Sequence, residues 1–182
     1  MTYDENVFKE KANRKARKIW IIFAVLLSAN YGSDTANNLY PVNSYIIFLI
    51  LCWLPLIAGE ILLRVKGWAT EQYRNDLVIG YGIFYTFVIC TTDSPIAFTY
   101  ILPVTSLLVL YKNRRFMINC GIANVAVIVG AAVYRYMIGF NSATDMKNYQ
   151  LQLSCIILCY ICYVMSIRHL NESDGAMTDS IK

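Results

Sequence analysis

Arg135 stands between Tyr134 and Tyr136 near the end of a long apolar run, and Asp34 and Asp93 close two other such runs. A guanidinium beside hydrocarbon requires a partner, and ionisable groups in such places mark functional sites by default. Together with Asn30, Tyr85 and Tyr134, these residues form a set able to orient a small polar molecule, and Thr92, Asp145 and Tyr149 belong to the same half of the chain's pattern. A plainer reading stands beside this one: tyrosines gather at membrane interfaces in any case, and Arg135 neutralises Asp93 or Asp34. Glu60 is a second carboxylate inside an apolar run. Arg64 follows it by four residues, so an i,i+4 ion pair with the acid first is the favoured assignment.

Other candidates carry less chemistry. Cys155, Cys159 and Cys162 share one helical face, and three thiolates with a fourth ligand would hold zinc. Metal binding requires ionised thiols, which hydrocarbon disfavours, so they read as small apolar filler. His169, the one histidine, has no second histidine for a metal or haem pairing. Pro55 and Pro103 fall mid-run and predict kinks. No nucleophile sits beside a base, and no phosphate-binding glycine loop or paired metal carboxylates occur in one segment. These patterns point to no enzyme, no cofactor and no metal.

The elements that must position these residues follow from composition. The chain is 57% hydrophobic and 15% charged, against about 25% charged in a soluble domain. A net charge of +4 is too small for a nucleic-acid footprint. Apolar runs over roughly 18–33, 43–63, 77–92, 96–111, 116–138 and 149–167 predict an all-α, polytopic bundle of six membrane-crossing helices. All 16 basic residues except Arg135 and Lys147 fall at or before the start of the first run, after the last, or in the 64–76 and 112–115 loops. Positive loops remain cytoplasmic, so both termini are placed inside the cell membrane. The expected organisation is a cytoplasmic basic segment at 1–17, a membrane domain at 18–167, and the start of a cytoplasmic helix at 168–182. Partners are the lipid bilayer and an unidentified small molecule.

Beyond the last run, Ile167, Leu170, Met177 and Ile181 take a and d positions of a heptad seam interrupted by Asp174. No proline interrupts this stretch, so the last helix should run unbroken to at least Met177. The pattern stops at Lys182 without a helix stop signal, as expected of a longer protein cut at that point. The basic start, six runs, minimal outside loops and the segment Arg168–Met177 resemble the membrane-embedded input region of bacterial methyl-accepting chemotaxis proteins and related receptors. The resemblance implies a sensory module that passes a ligand-derived or membrane-derived signal through its last helix to a cytoplasmic coiled coil. It implies a homodimer in the full-length protein, made through that helix. The alternative is a small six-span solute-binding or transport component. A reporter active only outside the cell, fused after Lys182, should stay silent; a strong signal there would overturn the placement of both termini.

Overall fold

The computed structural model describes residues 4–180, and among these no strand occurs. Six helices follow in order: α1 Glu5–Ala36, α2 Val42–Lys66, α3 Gln72–Thr91, α4 Ile101–Leu108, α5 Arg114–Met137 and α6 Ala143–Ser180. By length and composition, α1, α2, α5 and α6 are apolar enough to cross a membrane. Residues 5–17 of the basic segment are helical and continuous with the first apolar run in α1. The fourth run is no single α-helix: 3-10 turns at Ala97–Tyr100 and Val109–Tyr111 flank the eight residues of α4. Together these pieces rise about 26 Å, since 3-10 turns climb faster per residue than α-turns.

Local chemistry explains where the helices begin. The Asp4 carboxylate accepts the Asn6 amide at 3.0 Å, and Glu5 adds an acid to the positive end of the helix dipole. Asn113 caps α5 by accepting the Phe116 amide at 2.9 Å, after Lys112 has turned the chain through a left-handed conformation. Ser142 and Asp145 cap α6 reciprocally: Asp145 accepts the Ser142 amide at 3.0 Å, and the Ser142 hydroxyl accepts the Asp145 amide at 3.1 Å.

The chain forms two compact units, one ending at Val88 and the other starting at Ile89. In the first, α1 clasps the loop after α2. The Asn13 amide donates to the carbonyls of Trp68 and Thr70, both at 2.8 Å, and Lys9 pairs with Glu71 at 2.8 Å. Arg14 stacks over the Trp68 ring at 4.2 Å. Glu60 pairs with Arg17 of α1, not with Arg64, which is exposed. The i,i+4 expectation failed: Arg17 engages both Glu60 oxygens through Nε and Nη2, while the Arg64 side chain stays exposed. Pro55 packs against Gly80, where a Cβ would clash with the proline ring, so the ring of α2 rests directly on the backbone of α3. Gly80 therefore has a packing role that the sequence alone did not disclose.

Gly59 serves the same contact one turn further on. A Cβ there would lie 2.8 Å from both Asp76 Oδ2 and Tyr73 Cε2. Asp76 Oδ2 is buried without a hydrogen-bond partner, one residue before the third apolar run. Burial lifts its carboxyl from 3.8 to about 6. Because the folded value exceeds the unfolded one, folding takes up a proton between them. Stability should therefore rise as pH falls from about 6 towards 3.8, and stay level above that window. Asp76→Asn should flatten this dependence in thermal unfolding measured across the window, and an unchanged slope in the variant would assign it to another group.

Candidate functional site

The second unit holds the one buried arginine. Arg135 lies in the last turn of α5 and is 8% exposed. Its Nη1 donates to the Thr92 carbonyl at 2.8 Å and to the Cys90 carbonyl at 3.4 Å; Nη2 donates to Asp93 Oδ1 at 3.2 Å. The last carbonyls of a helix have no partner within it and form the negative end of its dipole. Arg135 thus caps the end of α3 from another helix, and the Asp93 contact is added to that cap.

The backbone beyond Arg135 completes the arrangement. Gly139 adopts a φ of 112°, and the Phe140 amide returns to the Arg135 carbonyl at 3.1 Å while the Gly139 amide reaches the Tyr136 carbonyl at 3.3 Å. This is a Schellman ending, which needs a residue tolerant of positive φ. It brings the Phe140 ring to 3.9 Å from the guanidinium carbon. From α6, the Tyr149 hydroxyl donates to the Phe140 carbonyl at 2.7 Å, and Gln152 Nε2 donates to the Pro95 carbonyl at 2.9 Å. Among these groups lies a cavity of about 150 Å³, with Asp93, Arg135, Asp145, Asn148 and Gln152 in its polar wall. That volume suits a small polar molecule, not a drug-sized one.

Of the residues singled out from sequence, the structure joins Arg135 and Asp93. Asp34, Asn30 and Tyr85 belong to the first unit, where Tyr85 is fully buried. Tyr134 is half-exposed on α5 and does not line the cavity. Phe140, Asn148 and Gln152 were not foreseen. A signal existed for two of them, since Asp145, Asn148, Tyr149 and Gln152 fall on one helical face just where the sixth run begins.

At the opposite end of α6, Asn171 Nδ2 donates to the Lys112 carbonyl at 3.0 Å and Asp174 pairs with Lys112 Nζ at 2.5 Å. Ile167 is fully buried within the chain, while Leu170 is exposed. Two a positions of the heptad stripe, Ile167 and Asp174, are therefore engaged within the chain itself. The Met177 side chain and Ile181 lie outside the described residues. No family model, curated protein or solved structure matches the chain.

Arg135→Met should lower stability by about 2 kcal/mol, because it takes the donor from the half-buried carbonyls at the end of α3. Asp93→Asn should cost less than about 1 kcal/mol, since that carboxylate is 83% exposed. Chemical unfolding of the two variants tests this, and the reverse order would make the ion pair, not the carbonyl cap, the principal contact.

Proposed function

We propose that the chain is a membrane-embedded sensory input module of a chemoreceptor-like receptor, with both termini cytoplasmic and the Arg135 cavity on the outside. A small polar ligand enters that cavity, and α6 carries its presence to the cytoplasmic side. One observation carries this reading. The single 38-residue helix α6 supplies Asp145, Asn148, Tyr149 and Gln152 to the cavity and Asn171 and Asp174 to the clasp on Lys112. Gln152 and Asn171 are separated by about 29 Å along an ideal helix, close to the roughly 30 Å of a bilayer's hydrocarbon. The two sets of polar contacts thus sit where the two faces of a membrane would be.

A helix held at both ends by directional bonds moves as a unit or not at all. Ligand contacts made to Asn148 or Gln152 in one position of α6, and not in another, would shift the balance between the two positions. The Lys112 clasp is the element that must break or re-form. In the longer receptor, dimer contacts would start at the exposed Leu170 and not at Ile167, which is buried in its own bundle. A carrier would use proline-broken helices and an intramembrane carboxylate, but Pro55 packs on Gly80 and Glu60 is paired with Arg17.

The test is hydrogen exchange of residues 168–176 in lipid nanodiscs, comparing the wild type with Gln152→Ala, which releases α6 from the Pro95 carbonyl. Coupling of ordinary size predicts a change of about fivefold or more at these distant amides. Identical exchange in the two proteins would remove the sensory reading.

A further inference from the structure

An arginine in a cavity suggests an anionic ligand, and the hydrogen bonding here argues the opposite. This inference rests on the proposal that the Arg135 cavity is a ligand site. We propose that its ligand is a small primary ammonium compound, a hydrogen-bond donor carrying positive charge.

The charged donor in the wall is already committed, and so are the donors of Tyr149 and Gln152; what remains is the Asn148 amide and the Thr92 and Ser94 hydroxyls, which accept as well as donate. Arg135 donates to the Cys90 and Thr92 carbonyls and to Asp93, and the Phe140 ring covers its face. An arriving anion would have to compete with the Cys90 and Thr92 carbonyls for the guanidinium, and success would leave those carbonyls without their donor. The Tyr149 hydroxyl proton points to the Phe140 carbonyl, and Gln152 Nε2 is held by the Pro95 carbonyl.

The capacity left over is for accepting. Asp93 makes a single contact with Arg135 and is otherwise open to solvent. Asp145 uses one oxygen, Oδ2, for the Ser142 amide and hydroxyl, and its other oxygen meets no donor among the described residues. The Gln152 carbonyl oxygen and the Asn148 amide complete the set. Two carboxylates against one guanidinium leave the wall with a net negative charge, and no lysine lines it. An ammonium group has three donors to meet these acceptors, and a short apolar tail fits against Ile89, Ala97 and Phe98. A tightly held divalent ion would need more oxygen ligands converging. No group of three acidic, histidine or cysteine side chains does so among the described residues.

The experiment titrates the full chain in zwitterionic nanodiscs, with empty nanodiscs as control, using three probes of one size at matched ionic strength. n-Propylammonium, propionate and propionamide differ only in the group presented. Calorimetry should show saturable binding of n-propylammonium, at least about tenfold tighter than propionate, a difference of about 1.4 kcal/mol. Asp93→Asn and Asn148→Ala should each weaken it several-fold while leaving the thermal midpoint within a degree or two. Propionate binding as tightly as the amine, no saturable binding of any probe, or affinity untouched by both substitutions would each overturn the proposal. Hydrogen exchange at 168–176 separates this outcome from the fate of the sensory reading. Amine binding with unchanged exchange leaves the ligand class standing and removes the sensor. Propionate binding with altered exchange does the reverse.

Discussion

A buried guanidinium must be surrounded by acceptors, and that constraint organises the second unit. Arg135 cannot be left alone in an apolar setting, so the chain brings it the terminal carbonyls of α3, which themselves lack partners. Each group solves the other's problem. The Schellman ending at Gly139 then becomes necessary, because the chain must leave α5 without uncovering the charge. Phe140 closes over it, and α6 is fixed by Tyr149 bonding to the carbonyl of Phe140. The cavity is the space these obligations leave unfilled.

The same logic operates at the Lys112 end with cheaper parts. Lys112 occupies a left-handed turn where the chain reverses into α5, and its carbonyl and ammonium both meet α6. These contacts involve exposed side chains and are worth about 1 kcal/mol or less each. At the cavity end α6 is held by the Tyr149 and Gln152 hydrogen bonds to the carbonyls of Phe140 and Pro95, contacts of similar size.

Much of this was legible in the sequence, and the exceptions have physical causes. Six apolar runs were expected to cross a membrane; each is helical, because helical backbone satisfies itself wherever lipid or protein surrounds it, but four of the helices are long and apolar enough to span. Arg135 was expected to pair with Asp93 or Asp34, because a charge near hydrocarbon leaves few options, and Asp93 is the partner it has. The carbonyls of Cys90 and Thr92 were not expected, since backbone acceptors have no signature in residue type. Glu60 found Arg17, 43 positions away in sequence, a partner that periodicity on one helix cannot reveal. Gly80 carries no signal of its own in the sequence, because its role is set by Pro55 on another helix. The heptad stripe was half misleading: Ile167 satisfies an a position and a core position equally well by sequence, and the bundle took it.

Everything proposed about direction and coupling presumes that α6 crosses a bilayer between its two sets of polar contacts. The direct measurement places single spin labels along α6 in nanodiscs, in a cysteine-free background of unchanged helicity, and compares collision with oxygen and with a water-soluble nickel chelate. The account predicts oxygen dominance at the outward-facing Leu151, Leu158, Ile161 and Met165, and nickel dominance at Lys147 and Glu172. Nickel dominance at Leu158 and Ile161 would contradict it.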